Sequence, residues 1–502
     1  MRPSHLAMSL IGAMFALAAA AQAEPAQIKV ETGLLSGEAH DGVAVYRNIP
    51  FAAPPVGTLR WAPPAKVPAW SGVRDAVKVG PSCVQPMTAD GSPNSGGANG
   101  PMSEDCLQLN VYSPTGAKGA PVMVWIHGGS HRTGAGWVYD GTNFAKDGVI
   151  LVTINYRLGP LGYFAHPALT KAAKPGEPLG NYGLMDQIAA LKWVQRNIKA
   201  FGGDPKRVTV FGESAGGMST LALLATPSTK GLYKQAMVQS GGGWFAPTRL
   251  TAKEADGLKA LKAMGVEGAD ATQLRALSAT DLVAKIGGSF GPFVDGKLMT
   301  ETPSQAFAAG RAADVPLVIG SNSGEDSLMG PWSPSMAAMI PPAARSLYVQ
   351  EAAAGDEALA RAIFTDRIMG APARWIARTG AGGQPTWLYH FSYVGSRFRP
   401  VVTRAFHAAE IQYVFHYWGR RTPLSVVSEQ DQAMARLMHS CWVAFAKTGH
   451  PDCATGPAWP AYTAASDQLM EFGDQSGVIA HFRQLQMDAQ DTANLPALKL
   501  AN

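Results

Sequence analysis

The stretch VTVFGESAGGMST, residues 208–220, runs four residues rich in β-branched and aromatic types straight into a cluster of glycines around a lone serine. Gly212, Ser214 and Gly216 form the pattern G-x-S-x-G, and the segment AGGMSTLALLA that follows is compatible with a helix. A sharp turn from strand to helix holds its serine in a strained conformation and lifts the hydroxyl clear of the sheet, while the glycines give the backbone room. The helix N-terminus favours the negative charge that develops during attack. We therefore predict that Ser214 is a nucleophile rather than a serine that only caps a helix.

A second match to G-x-S-x-G shows that the pattern alone does not identify a nucleophile and that the secondary structure before the serine must also fit. GGSFG, residues 287–291, follows the segment ATDLVAKI, which has the character of a helix, and no strand leads into Ser289. Because the turn requires a strand before the serine, we place Ser289 in a loop.

Short apolar runs rich in β-branched residues recur along the chain with helical segments between them. The runs are PVMVWIHGG (121–129), VILVTINYR (149–157), RVTVFGES (207–214), KQAMVQSGG (234–242), VPLVIGSNS (315–323) and PTWLYHFSY (385–393). Their continuous apolar character predicts strands that are buried on both faces. Between the second and third runs, apolar residues recur at helical spacing, at Leu184, Ile188, Leu191, Val194 and Ile198. The sequence therefore predicts an α/β fold, a large and mostly parallel central sheet with helices on both faces.

The first 25 residues, MRPSHLAMSLIGAMFALAAAAQAEP, contain one Arg, then an uncharged apolar run, then small residues at Ala21 and Ala23. This pattern is typical of a secretory signal peptide that is cleaved after Ala23, and the run is short for a membrane span. We expect residues 1–23 to be this signal and residues 24–502 to form a single domain that is exported to the periplasm or secreted. No later stretch is long and apolar enough to span a membrane, so we expect no stable membrane insertion.

The remaining charge is nearly balanced. Without residues 1–23 the chain keeps 41 of its 42 Lys and Arg residues and all 37 Asp and Glu residues, which gives a net charge of +4. A balance this small indicates that nucleic acid is not a partner.

The four cysteines are Cys83, Cys106, Cys441 and Cys453, an even number that allows three pairings. In an exported chain, disulfides are more probable than buried free thiols, and we favour pairing between nearest neighbours, Cys83 with Cys106 and Cys441 with Cys453. No close Cys/His spacing supports a zinc site.

A serine nucleophile requires a base that is oriented by an acid, and after a G-x-S-x-G turn the chain order is Ser, acid, His. Glu325 and Asp326 follow the fifth apolar run, at the strand end where catalytic groups of open α/β sheets gather. The histidines after that run are residues 390, 407, 416, 439, 450 and 481. Chain order thus leaves two acids and six histidines as candidates.

From about residue 30 to residue 472 the chain resembles the type B carboxylesterases, the cholinesterase-like branch of the α/β-hydrolase family. The matching stretches, in chain order, are YRNIPFAAPPVGTLRW, SEDCLQLNVY, VWIHGGSHRTG, NYRLGPLGYF, GNYGLMDQIAALKWVQRNIKAFGGDP, VTVFGESAGG, MVQSGG, FGPFVDGKL, GSNSGED and FHAAEIQYVF. Ten ordered blocks make a chance similarity implausible.

The resemblance implies a role for each residue at a matching position. Ser214 would be the nucleophile, Glu325 in GSNSGED the acid and His407 in FHAAEIQYVF the base, with Asp326 standing where the family usually has Gly. The oxyanion hole would fall on the backbone of Gly129, Ser130 and Ala215.

Two further roles follow from the same resemblance. Ser240 in MVQSGG would support the triad from outside it. Cys106 in SEDCLQLN would pair with the upstream cysteine, Cys83.

The implied function is that of a serine esterase that hydrolyses small-molecule carboxylic esters through an acyl-enzyme, without a metal or an organic cofactor. An amidase or lactonase using the same triad is one alternative. A non-catalytic, cholinesterase-like binding protein is another, but such proteins have lost triad residues, and all three positions are filled here.

The block HGGSHRTG departs from the family pattern. Relatives usually carry a third glycine and an aromatic residue where this chain has Ser130, His131 and Arg132. We expect His131 and Arg132 to place positive charge near the reacting carbonyl and to bind a polar or anionic substrate group, the alternative being that Arg132 points outward to a surface acid.

Overall fold

The computed structural model describes residues 24–245, 247–380, 383–419 and 422–498. The predicted signal peptide, residues 1–23, lies outside the described residues.

The strands of the described residues are numbered in chain order. They are β1 (Glu24–Val30), β2 (Gly33–His40), β3 (Val43–Pro50), β4 (Val73–Asp75), β5 (Ser82–Cys83), β6 (Met102–Ser103), β7 (Gln108–Pro114), β8 (Ala120–Ile126), β9 (Ile150–Ile154), β10 (Gly203–Glu213), β11 (Gln235–Gln239), β12 (Leu317–Asn322), β13 (Thr386–Phe391), β14 (Gln468–Phe472) and β15 (Gly477–Ala480).

The α-helices are α1 (Thr142–Lys146), α2 (Gly159–Gly162), α3 (Pro167–Ala172), α4 (Tyr182–Asn197), α5 (Ala215–Ala225), α6 (Leu250–Ala263), α7 (Ala271–Arg275), α8 (Ala279–Lys285), α9 (Pro303–Ala308), α10 (Ala344–Leu347), α11 (Val349–Ala353), α12 (Asp356–Thr365), α13 (Ala371–Gly380), α14 (Ile411–Val414), α15 (Glu429–Thr448) and α16 (Gln484–Asn494). Short 3₁₀ helices include Gly136–Val138 and Glu325–Leu328, and a π-helical turn, Asp366–Gly370, joins α12 to α13.

One large sheet organises the molecule, with the strand order β1-β2-β3-β7-β9-β8-β10-β11-β12-β13-β14-β15 and β4 beside β2. The pairs from β9 to β14 are all parallel, and the antiparallel pairs lie at the two margins. The six predicted apolar runs are strands β8 to β13, so the mostly parallel sheet is confirmed. Its parallel centre brings the carboxyl ends of β8, β10, β11 and β12 to one edge.

The core lies on both faces of this sheet. Val124 of β8 packs into the cluster on one face, and its neighbour Trp125 packs into the cluster on the other. Successive strand residues point to opposite faces, so an uninterrupted apolar run is what a sheet covered on both sides requires. On one face α4 buries Leu184, Leu191 and Val194, which belong to the predicted helix.

The cysteines form two disulfides, Cys83–Cys106 and Cys441–Cys453. No helix within the described ranges is both long and apolar enough to cross a membrane.

Candidate active site

Ser214 occupies the turn between β10 and α5. Its backbone has φ 55° and ψ −121°, a strained conformation for a residue with a side chain. The two glycines of the pattern are sterically required, because a Cβ on Gly212 would lie 2.6 Å from the backbone of Gly216 and one on Gly216 would lie 1.9 Å from the carbonyl oxygen of Ile126. The Ser214 N–H donates to the carbonyl of Gln239 at 2.9 Å. The turn therefore holds the Ser214 hydroxyl at the carboxyl edge of the sheet, where the sequence pattern predicts it.

A tight turn after β8, residues 128–134, lies against Ser214 and is called here the oxyanion turn. A Cβ on Gly128 would approach within 3.1 Å of the Ser214 Cβ, which shows how closely the two segments meet. The carbonyl of Gly129 accepts the N–H groups of Arg132 and Thr133, and Gly129 and Ser130 have positive φ values of 101° and 57°.

Three backbone N–H groups of the oxyanion turn and of the start of α5 have no acceptor among the described residues. Among the residues that the structure describes, the N–H groups of Gly129 and Ser130 donate to no other group. Ala215 is the first residue of α5, where a backbone N–H has no partner within the helix. Such donors are suited to bind an oxyanion that forms on a substrate carbonyl attacked by Ser214.

The carboxylate of Glu325 lies directly after β12 and is fully buried. Its Oε2 lies 2.5 Å from Nδ1 of His407, and its Oε1 accepts the Ser240 hydroxyl at 2.6 Å and the Asn322 N–H at 2.7 Å. Two donors, the Ser240 hydroxyl and the Asn322 N–H, thus hold the carboxylate against His407, and Ser240 is the supporting residue that the resemblance implied.

Backbone contacts bring His407 to Glu325 although 82 positions separate them. The N–H of Gly324 donates to the carbonyl of Ala405 at 2.7 Å, and the His407 N–H donates to the hydroxyl of Ser327 at 2.9 Å. The two segments therefore run side by side next to Glu325.

Asp326 faces away from His407. Its carboxylate accepts a hydrogen bond from the guanidinium of Arg404 at 2.8 Å and lies 3.5 Å from that of Arg361. These ion pairs account for the acid that stands where relatives usually have Gly.

The other five histidine candidates lie elsewhere. His416 contacts Gln432, and His439 contacts the carbonyl of Val414. His390 packs against Phe482, His450 packs against Trp387, and His481 faces Asp467. Within the described residues, His407 is the histidine hydrogen-bonded to Glu325.

Glu213, the residue before the serine, also faces the base. Its Oε1 lies 3.1 Å from Nε2 of His407. Burial alone would lower the pKa of His407, but the negative charges of Glu213 and Glu325 outweigh burial and raise the pKa above its ordinary value. The sequence analysis missed this role, although Glu213 stands inside the GESAG motif.

A second buried carboxylate that the sequence analysis missed is Glu410. It accepts hydrogen bonds from the side-chain amides of Gln239 at 3.0 Å and Asn322 at 2.6 Å, and burial raises its pKa. Since Asn322 also donates its N–H to Glu325, Glu410 braces the segment that carries Glu325.

His131 does not face a substrate as expected. Its side chain is buried, its Nε2 lies 3.0 Å from the Ser219 hydroxyl, and burial lowers its pKa to about 3. The expectation that His131 supplies positive charge is therefore wrong, because an uncharged imidazole packed in the interior carries none. Arg132 is half-buried, with its guanidinium 5.5 Å from the centre of the Phe290 ring.

The loop closed by the Cys83–Cys106 disulfide supports the oxyanion turn. Gln85 donates to the carbonyl of Gly134 at 2.9 Å and accepts its N–H at 2.7 Å, and the hydroxyls of Ser95 and Thr133 lie 3.1 Å apart. The Gly/Ser/Asn-rich part of this loop is thus ordered by contacts with the site.

A cavity of about 320 Å³ opens beside His407. Its wall includes Phe406 and Ala408, the two neighbours of His407 in the chain, together with Asn94 and Gly96 of the disulfide loop. Asp140 is the charged residue among those that line it. His407, Ser214 and Glu325 are not among its lining residues, so the cavity adjoins the candidate site through the chain neighbours of His407.

Solved structures share this fold. A thermophilic PNB esterase superposes with a TM-score of 0.81 and 32% sequence identity, covering 92% of this chain and 99% of its own. The chain has the α/β-hydrolase fold, and the polar residues of the candidate site lie at the carboxyl edge of its central sheet.

The family follows from sequence comparison. The model of the carboxylesterase family matches residues 24–347 and 342–490. The fumonisin B1 esterase of Sphingopyxis macrogoltabida is 36% identical over 93% of this chain and 90% of its own length, and the para-nitrobenzyl esterase of Bacillus subtilis is 36% identical over 87% and 92%. The chain belongs to the carboxylesterase family and is a carboxylic ester hydrolase.

Proposed function

We propose that this enzyme hydrolyses small-molecule carboxylic esters through a Ser214-His407-Glu325 triad and an acyl-enzyme. The observation that carries the proposal is the contact of 2.5 Å between Nδ1 of His407 and the buried carboxylate of Glu325, at the sheet edge where Ser214 occupies its strained turn. A carboxylate in this position selects the imidazole tautomer whose Nε2 accepts a proton.

The first half of the reaction acylates Ser214. Nε2 of His407 takes the hydroxyl proton as Oγ attacks the ester carbonyl, and Glu325 stabilises the imidazolium that results. The N–H groups of Gly129, Ser130 and Ala215 bind the oxyanion, each donor lowering the barrier by about 3 to 4 kcal/mol. His407 then gives its proton to the leaving alkoxide, and the alcohol departs.

The second half releases the acid. His407 takes a proton from water as the water oxygen attacks the acyl carbonyl, the same donors bind the second oxyanion, and the proton returns to Ser214 Oγ as the ester bond breaks. The ester and one water molecule balance the two steps, and the triad ends in its starting protonation state.

Two relatives support small carboxylic esters as the substrate class, since their names state fumonisin B1 esterase and para-nitrobenzyl esterase activity. The cavity of about 320 Å³ lined by Phe406 and Ala408, the chain neighbours of His407, offers room for the alcohol part of such an ester.

Amide or lactone hydrolysis on the same triad is the second reading. It is tested by comparing kcat/KM for an aryl ester and the matched anilide. We expect the ester to be preferred by several orders of magnitude, and equal turnover would favour an amidase.

The experiment that tests the proposal compares two serine variants in steady-state hydrolysis of p-nitrophenyl butyrate. Ser214→Ala removes the proposed nucleophile and should abolish turnover. Ser289→Ala removes the serine of the second G-x-S-x-G match, which lies in an exposed loop after α8, and should retain it. Turnover that survives in Ser214→Ala would contradict the proposal.

We also propose that residues 24–502 act as one catalytic domain outside the cytoplasm, in the periplasm or secreted. Two disulfides support this, because they persist in oxidising compartments. Cell fractionation followed by N-terminal sequencing tests it, with Glu24 as the expected first residue.

A further inference from the structure

Arg132 is charged, lies next to the oxyanion turn's donors and has no acid to neutralise it. No carboxylate within the described ranges forms an ion pair with it. Two buried arginines, in contrast, are paired: Arg157 with Asp186 at 2.8 Å and Arg374 with Asp467 at 2.8 Å. The outward ion pair considered as an alternative for Arg132 is therefore not formed.

The aromatic ring that holds the guanidinium belongs to a loop close to the nucleophile. Phe290 lies under Arg132, and a Cβ on the next residue, Gly291, would lie 3.0 Å from Nδ1 of His131. The backbones of Phe290 and Ala215 both lie next to the His131 ring. A single buried imidazole thus separates the Phe290 loop from the residue that follows Ser214.

The arginines on the other side of the site are differently placed. Arg399 is paired with Asp474 at 2.6 Å and Arg404 with Asp326 at 2.8 Å. The cavity beside His407 carries the carboxylate of Asp140, which disfavours an anion there. Arg397, also on this side, forms no ion pair within the described ranges, but its side chain is exposed, whereas that of Arg132 is half-buried.

From this asymmetry we propose that Arg132 binds a carboxylate on the acyl part of the substrate, so that the preferred substrates are half-esters of dicarboxylic or polycarboxylic acids. This rests on the proposed function. The alcohol must lie toward His407, which protonates it, and the carbonyl oxygen must lie toward Gly129 and Ser130. The acyl chain takes the remaining direction, past the oxyanion turn to the Phe290 loop, where the guanidinium donates two parallel hydrogen bonds to the carboxylate.

The test compares two aryl esters that differ only at the far end of the acyl chain. p-Nitrophenyl hemiadipate carries a terminal carboxylate, its adipamate analogue carries a neutral primary amide, and the six-carbon chain disfavours attack of the carboxylate on its own ester. The readout is the ratio of kcat/KM for the two substrates. We expect the ratio to fall roughly tenfold to a hundredfold in Arg132→Gln, the range for a hydrogen bond to a charged group. The ratio for Arg132→Lys should lie between those of the wild type and Arg132→Gln, because lysine keeps the positive charge and lacks the planar guanidinium.

Arg397→Gln is the matched control. Arg397 also lies over a phenylalanine, with its guanidinium 5.6 Å from the Phe398 ring, but on the His407 side. The ratio should change less than about twofold in this variant, since its charge is exposed and screened. An equal fall in Arg397→Gln, or an unchanged ratio in Arg132→Gln, would overturn the proposal.

A third substrate separates the acyl side from the alcohol side. 3-Carboxy-4-nitrophenyl hexanoate carries its carboxylate on the leaving group, and its kcat/KM relative to p-nitrophenyl hexanoate should not depend on Arg132. If Arg132→Gln lowers this ratio as well, the acyl-side placement is wrong. Failure of the proposed function would appear differently, as no enzymatic hydrolysis of any of these esters.

Discussion

Oε1 of Glu213 lies 3.1 Å from Nε2 of His407, so the residue before Ser214 places its carboxylate at the ring nitrogen that receives the serine proton in the proposed mechanism. Glu325 holds the other ring nitrogen at 2.5 Å. The base therefore lies between two carboxylates, and their charges govern its protonation.

This arrangement predicts a shift of the pH profile in Glu213→Gln. Only neutral His407 accepts the Ser214 proton, so kcat/KM falls as the pH drops through the pKa of His407, which the two carboxylates raise. Removing one of the charges lowers that pKa, and the acid limb should move to lower pH by roughly one to three units. The profile of kcat/KM against pH measures this. Glu267→Gln, at an exposed glutamate paired with Lys262, should keep the wild-type midpoint, and an unmoved midpoint in Glu213→Gln would contradict the prediction.

The adjacent acids should differ sharply in importance. Glu325→Gln loses the acceptor that selects the tautomer of His407, and kcat should fall by about 10⁴-fold. Asp326→Asn breaks contacts with Arg404 and Arg361 but touches no part of the triad, so kcat should fall less than about tenfold while Tm decreases. Steady-state kinetics and thermal unfolding of both variants measure these effects. A larger fall of kcat in Asp326→Asn than in Glu325→Gln would show that Asp326 is the acid.

Removing either disulfide should lower the stability of the fold, but only removal of Cys83–Cys106 should also lower activity. Replacing Cys83 and Cys106 by Ser removes a link that stabilises the fold by about 3 kcal/mol and also loosens the loop that Gln85 and Ser95 hold on the oxyanion turn. We expect both Tm and kcat/KM to fall.

The matched control replaces Cys441 and Cys453, which close a loop of 12 positions at α15. Here Tm should fall by a similar amount with kcat/KM nearly unchanged. Equal losses of kcat/KM in the two double variants would mean that the first disulfide has no particular role at the site.

Glu410→Gln should weaken the support of Glu325. A Gln side chain presents one NH₂ group, which must face either the amide of Gln239 or that of Asn322, and both are donors. Asn322 cannot turn over without losing its bond to the carbonyl of Phe406. We expect a loss of about 1 to 3 kcal/mol in the free energy of unfolding, together with a lower kcat. Denaturant unfolding and kinetics measure both, and an unchanged kcat would show that Glu410 stabilises the fold alone.

The parallel centre of the sheet was predictable because β8 to β13 are buried on both faces and read as continuous apolar runs. The antiparallel strands β2 and β3 were not predicted. The strand β2 mixes buried and exposed positions, and β3 begins with four buried residues but continues into Arg47 and Asn48, so neither gives a continuous apolar run.

The site was predictable only in part from the residues themselves. The turn around Ser214 depends on neighbouring residues, so its sequence pattern suffices. The choice of His407 depends on contacts between segments 82 positions apart, which no local pattern contains. His131 follows the small residues Gly128, Gly129 and Ser130, whose sequence does not indicate burial. In the structure His131 has a φ of 54°, and its ring lies in the interior against Ser219.

The proposed acyl-enzyme can be observed directly with a slowly hydrolysed aryl carbamate, by intact-mass measurement and peptide mapping of the protein. We predict one carbamoyl group per chain, located on Ser214, absent from Ser214→Ala and present on the same peptide in Ser289→Ala. A carbamoyl group on Ser289 or another residue, or loss of esterase activity without any covalent adduct, would contradict Ser214 as the nucleophile.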